Sequence, residues 1–337
     1  MDKREDLNKN LNGIFTISLD FELYWGMKDV ISEEKYKKNL EGTPYAISQI
    51  LKLFNLFDIH ATWAVVGFLY FKNQKELLQN LPQNYPQYKD KNIDLYRYVK
   101  NHQTLNSENH FAPNIIKTIS KLKNQEIATH TFSHFYTLEE GQNRQLFIED
   151  IKAAIKVSHK KPQTIIFPRN QCNKDYLAVL PDLGIRAYRG NENSWMYKSV
   201  NFKEKTSLKQ KVARSADTYI NISSHNSYEL KEIAKSKPYN VPASRFLRPY
   251  TPKFAFLDKL KLSRIKKDML YAATNNRLYH LWWHPHNFGI YTDENIKMLE
   301  DILDYYSRLK ALYNFNSKNI KEVADIADEL RDCCKSY

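Results

Sequence analysis

Six short segments rich in apolar and β-branched residues alternate with segments of helical period, and this alternation restricts the chain to a mainly parallel α/β architecture. The first, Ile14-Phe-Thr-Ile-Ser-Leu-Asp-Phe-Glu22, reads as a strand; residues 45–57 carry apolar side chains at helical spacing; 60–67 is again a strand, closed by glycine. Strand, helix and strand within about fifty residues make a βαβ unit. Further strands are expected at 126–129, 164–167, 185–188 and 278–283, with helices at 114–123, 144–157, 175–183, 253–274 and 293–312. About seven such units would close into a barrel. Residues 71–112, rich in Asn, Gln, Lys and Tyr, read as an inserted loop region, and 190–258 as a second insertion without clear periodicity. With no internal repeat and no Gly/Ser linker, the economical organisation is one domain over 1–337, ending in helices at about 293–334.

Composition removes several function classes. The 337 residues are 42% hydrophobic and 13% aromatic, enough for a substantial core. The charged first segment shows no secretory leader, and no run approaches the roughly 18 apolar residues of a membrane span. Cys172, Cys333 and Cys334 form neither a disulfide framework nor a paired-cysteine zinc site, so a reduced, cytoplasmic protein is expected. The net charge of +13 is local: residues 198–277 hold 18 Lys or Arg against 6 Asp or Glu. Such a surface attracts phosphate or an anionic membrane, and 253–274, with Lys259, Lys261, Arg264, Lys266 and Lys267 between apolar residues, has the pattern of a basic amphipathic helix. A location at the inner face of a membrane is one expectation; nucleic acid is the less expected partner.

The chemistry gathers at strand ends. Strand parity places Thr16, Ser18, Asp20 and Glu22 on one face of the first strand, opposite Phe15, Ile17, Leu19 and Phe21. His130-Thr-Phe-Ser-His134 follows the third strand, Arg169 the fourth, and His284-Pro-His286 the last. In parallel barrels the C-terminal strand ends share one mouth, so these segments should meet. Two imidazoles and a carboxylate make a common ligand set for a catalytic metal with an open position.

These motifs resemble the polysaccharide deacetylases, the NodB-homology or carbohydrate esterase family 4 fold. The resemblance implies a distorted (β/α)7-type barrel and a metal-dependent hydrolase of linear amides. It makes Asp20 the catalytic base; Glu22, His130 and His134 the metal ligands; and His284, or alternatively His286, the general acid. Arg169, in Phe167-Pro-Arg169-Asn170-Gln171, would orient the base. Asn170, Gln171, Trp195 and Trp283 are the expected substrate contacts. The chain departs from the usual adjacent aspartates: Phe21 separates Asp20 from Glu22, and parity nominates Glu22 as the ligand on the same face. Zinc is the favoured metal, with Co2+, Ni2+, Mn2+ or Fe2+ able to occupy such a set. The implied substrate is an N-acetylated, less expectedly N-formylated, amino sugar of a saccharide or envelope-glycan precursor. The rival readings are a metal-independent cyclic-amide hydrolase like the allantoinase-related branch, and a non-enzymatic basic binding protein.

Overall fold

The computed structural model describes residues 11–199 and 207–335. Its sheet follows the order β6-β5-β4-β3-β2-β1-β8-β7, with every neighbouring pair parallel. The strands are β1 (Ile14–Phe21), β2 (Ala61–Val65), β3 (Gln125–Thr129), β4 (Thr164–Ile166), β5 (Ala187–Arg189), β6 (Tyr239–Asn240), β7 (Arg245–Phe246) and β8 (Leu278–Trp283). A two-residue β9 (Asn316–Ser317) adds to β1. The result is an open, curled barrel with helices, the α/β barrel class expected from the alternation. Chain-consecutive β6 and β7 lie at its two edges.

Long β1 is central because it is buried on both faces. Phe15, Ile17, Leu19 and Phe21 join the main core with α1 (Glu33–Leu56), whose Ile47, Ile50 and Phe54 face inward. The opposite face turns into the barrel, where small Ala64, Ala128 and Ala187 leave room for polar side chains.

The stretch at 71–112, expected to be loop, contains α2 (Gln74–Gln79), α3 (Leu95–Asn101) and α4 (Ser107–His110). Asn73, Asp94 and Asn106 accept hydrogen bonds from the first-turn N–H groups of these helices. Residues that suggested loop composition are thus helix caps, and helices this short show no period. Tyr96, Tyr98 and Val99 pack into the main core.

After α5 (Pro113–Ser120), α6 (Arg144–Val157) and α7 (Lys174–Leu177), the second insertion supplies α8 (Leu208–Asp217), α9 (Leu230–Ile233), β6 and β7. Residues 200–206 of that insertion lie outside the described residues. The insertion therefore completes the sheet, and its two-residue strands are too short to alternate. Then come α10 (Asp258–Thr274), α11 (Thr292–Tyr313) and α12 (Ile320–Lys335). Among the described residues no helix is long and apolar enough to cross a membrane.

Candidate active site

Glu22 follows β1, while His130 and His134 follow β3 in a loop with left-handed backbone at Thr131 (φ 65°) and His134 (φ 56°). The Nε2 atoms of His130 and His134 lie 3.2 Å and 3.0 Å from Glu22 Oε2. All three side chains are buried, and their ligand atoms fall within 4.8 Å of one another. His130 Nδ1 lies 2.8 Å from the Ile166 carbonyl; donation there leaves the Nε2 lone pair directed at the carboxylate. His130 Nε2 has no hydrogen-bond partner. A cation is what this donor set fits: two buried ring nitrogens and a carboxylate oxygen converge where electron-rich atoms would otherwise face one another. Burial pushes the Glu22 carboxyl up, but His284 and the two histidines outweigh it and hold it well below the ordinary range.

Close approach demands glycine at position 26. A Cβ there would stand 2.1 Å from the Glu22 carboxylate.

Asp20, on the same face of β1, has a different environment. Arg189 grips it bidentately, with Nη1 donating to Oδ1 at 2.8 Å and Nη2 to Oδ2 at 2.7 Å. Burial raises the Asp20 carboxyl, yet Arg189, helped by His130 and His284, brings it below the ordinary value. Arg189 is itself fixed: Nη1 also donates to Ser18 Oγ at 2.9 Å, Nη2 donates to Asn170 Oδ1 at 2.9 Å, and the guanidinium lies 4.1 Å from the Trp282 ring centre. Behind it, His280 Nε2 lies 2.8 Å from Ser18 Oγ. Burial pushes the His280 imidazole down to about 3, so this ring is neutral and can accept the Ser18 proton.

The arginine that holds Asp20 is therefore Arg189 and not Arg169. Arg169 (φ 54°) and Asn170 (φ 53°) form a left-handed pair that turns the chain, so Arg169 bonds Asp29 and lies 5.1 Å from the Tyr136 ring centre. Arg189 escaped the sequence reading because the expected strand ended at Tyr188. The available signal was parity, since Ala187 and Arg189 share the interior face of β5.

His284 completes the cleft. Its Nε2 lies 3.6 Å from Glu22 Oε1 and 3.8 Å from Asp20 Oδ2. Tyr36 donates to Asn287 Oδ1 (3.2 Å), which turns the Asn287 amide nitrogen toward His284 Nδ1 (3.3 Å). That arrangement suits a neutral ring with its proton on Nε2. Rotation of the amide, with Tyr36 accepting, suits the imidazolium equally. His286 is fully buried, 4.0 Å from Glu22 Oε1, with neither ring nitrogen hydrogen-bonded. Burial first and then His284 push it down to about 3. His284, partly exposed on the cleft lining, is the better placed of the two for proton transfer.

The cleft encloses about 470 Å³ and is lined by Asp20, Glu22, Asp29, His134, Arg169, Asn170, Trp282 and His284, with Gly26, Met27 and Val30. Three expected substrate contacts are not on this lining. Trp283 has no exposure and stacks on Phe288, because odd-numbered residues of β8 face the helices while Trp282 faces the barrel. Gln171 is buried and donates to Glu139 Oε1 at 2.7 Å. Trp195 stands 61% exposed on a 3-10 turn outside the cleft. Asn170 does line it.

Neither a protein-family model nor a curated protein matches this sequence. Solved structures do. A protein of Mycobacterium smegmatis assigned as a polysaccharide deacetylase superposes with a TM-score of 0.57 at 12% identity, over 95% of this chain and 92% of the other. The fold is of the polysaccharide deacetylase kind. A Pseudomonas aeruginosa PAO1 protein assigned to the same activity gives 0.49 at 11% identity over 93% and 89% of the two chains. An allantoinase gives 0.48 at 12% over 94% and 90%. Of these three, only the first exceeds 0.5, and at such identities the likeness speaks for the fold and not the reaction.

Proposed function

We propose that the protein is a metal-dependent hydrolase that removes an N-acetyl, or less favourably an N-formyl, group from an amino sugar of a saccharide or envelope-glycan precursor. One observation carries this reading: the Glu22, His130 and His134 ligand atoms converge within 4.8 Å at the wall of a cleft whose lining also holds an arginine-locked carboxylate and a partly exposed histidine. A divalent metal on those three residues, zinc by the character of the donors, would polarise the amide carbonyl and acidify a water. Asp20 takes a proton from the attacking water, and Arg189 keeps it ionised and aimed. His284 delivers a proton from Nε2 to the departing amine nitrogen. One water and one amide give acetate and a free amino sugar. Asn170, Arg169 and Trp282 offer the substrate a polar edge and an aromatic wall.

The test is acetate release from N-acetylated saccharides with metal analysis of the same preparation. Glu22→Ala and His130→Ala should lose bound metal and lower kcat/KM by about 10²-fold or more. Full activity and metal content in either variant would defeat the assignment. Turnover of a cyclic amide by chelator-treated protein would favour the metal-independent rival.

A further inference from the structure

The basic helix expected at 253–274 does not offer a free amphipathic face. In α10 Ile265, Met269 and Ala272 pack into the core. Lys261 and Arg264 are buried and paired with Asp258 and Asp268. The apolar exposure lies at the start of that helix, with Phe256 just before it 77% exposed and Leu260 in its first turn 50% exposed. It continues on α8, where Leu208 and Val212, one turn apart, are 76% and 60% exposed, and beyond it at Ile220, 64% exposed.

Hydrogen bonds tie the segments that carry these residues to one another. Gln210 of α8 donates to the Trp195 carbonyl at 3.4 Å, and Arg248 Nε donates to Thr218 Oγ1 at 2.8 Å. Lys261 Nζ donates to the Arg248 carbonyl at 3.1 Å, and Arg264 donates to Asn221 Oδ1 at 3.0 Å. Exposed Lys209, Lys211, Lys253 and Lys259 stand among the apolar side chains. Among the described residues no carboxylate lies within ion-pair distance of any of the four.

This surface leaves the C-terminal ends of β5 and β7, the end that carries the cleft. The chain leading out of those strands touches the cleft lining: Ser199 bonds the Asn170 carbonyl, and Phe246 packs at 4.7 Å against the Trp282 ring.

We propose that this face docks on an anionic lipid bilayer and sets the cleft mouth at the membrane surface. Exposed aromatic and aliphatic side chains set among lysines that no described carboxylate pairs have the chemistry of an interfacial site: the apolar groups enter the headgroup boundary and the lysines meet lipid phosphate. Water solvates the lysines but leaves the apolar groups uncovered, and a neutral bilayer covers the apolar groups but offers the lysines no net negative charge. Given the amide-hydrolase reading, the docked cleft takes a saccharide borne on a lipid carrier; the docking itself does not depend on that reading.

The test is sedimentation of the full chain with vesicles of phosphatidylglycerol and phosphatidylcholine, against phosphatidylcholine alone, at low and high salt. Binding is expected to need the anionic lipid and to weaken with salt. Phe256→Ser with Leu260→Ser, and separately Lys209→Glu with Lys211→Glu, should each lower the bound fraction about tenfold. Their unfolding midpoints and hydrolysis of a soluble N-acetylated sugar should match wild type, so a failure of the deacetylase reading is seen separately. Emission from Trp195 should shift to the blue on vesicles, and the shift should vanish in Trp195→Phe. Equal binding to neutral vesicles, unaltered binding by both double variants, or a Phe256-dependent dimer that ignores vesicles would overturn the proposal.

Discussion

Asp20 and Glu22 share one strand face but carry different neighbours, and that difference assigns their work. Two imidazole nitrogens point at Glu22, a metal-ligand environment; a planar guanidinium grips Asp20, an environment for an ionised base. Gly26→Ala isolates the first. The three atoms nearest the new methyl all belong to the Glu22 carboxyl end, so the carboxylate is the group that must move. Metal affinity should fall about 10- to 100-fold with an unchanged melting midpoint, read by competition with a chromogenic chelator. Arg189→Ala isolates the second. Without the guanidinium, burial acts on Asp20 against His130 and His284 alone, and its carboxyl rises. The acid limb of the kcat/KM profile should then move to higher pH, and the neutral-pH value should fall about 10²-fold or more, mainly in kcat. Arg169→Ala should leave that limb in place, because Arg169 bonds Asp29 and not Asp20. Identical profiles for the two arginine variants would contradict the division.

At the scale of elements, the histidine loop is held from outside by α6. Asp150 accepts from the N–H groups of Phe132 (2.6 Å) and Ser133 (3.2 Å), from the Ser133 hydroxyl, and from Tyr96 of α3 at 3.2 Å. Full burial nevertheless raises its carboxyl to about 6. A carboxyl near 6 when folded and near 3.8 when unfolded binds its proton more tightly in the native state. This one group therefore makes stability fall as pH rises from about 4 to about 6, by of order 3 kcal/mol. Asp150→Asn should flatten the urea-unfolding free energy across that window, and Asp150→Ala should weaken metal binding by loosening the loop between the two histidines. An unchanged pH slope in Asp150→Asn would remove Asp150 as its source. How much of this was legible depends on element length. The eight residues of β1 show strand parity, and the spacing of His130 and His134 survives any error in the surrounding elements. Strands of two residues, such as β6 and β7, have no alternation to read, and α2, α3 and α4 are too short for a period. Arg189 was lost to a boundary one residue short, and Trp283 was chosen where parity favours Trp282. The grip of Asp150 on the loop joins α6 to a segment some 17 residues away, which no local pattern encodes.

Across the whole molecule, the two ends of the barrel have separate tasks. The C-terminal end carries the cleft and the basic, apolar face beside it. The N-terminal end is closed by α12, whose Ile320, Val323, Ala324 and Ala327 pack with Ile14, Leu278 and Tyr239 inside the sheet. Backbone bonds fix that closure: Thr62 Oγ1 accepts from Ile320 N at 2.9 Å and donates to Glu126 Oε2 at 2.7 Å, and Lys321 N donates to the same Glu126 oxygen at 3.0 Å. In barrels of this kind, residues at the closed end serve stability and those at the open end serve chemistry. Val323→Ala tests the separation. Val323 has no exposure, and removing two buried methyl groups leaves a cavity costing about 1–3 kcal/mol. Urea unfolding should show that loss as a lower midpoint with an unchanged slope. Below the transition, metal content and kcat/KM should stay within about twofold of wild type, because α12 contributes nothing to the cleft lining. A variant that unfolds at the wild-type midpoint would show that α12 does not seal the sheet. One that loses metal while still folded would show that the closed end reaches through the polar interior, past Ser18 and His280, to the site at the other mouth.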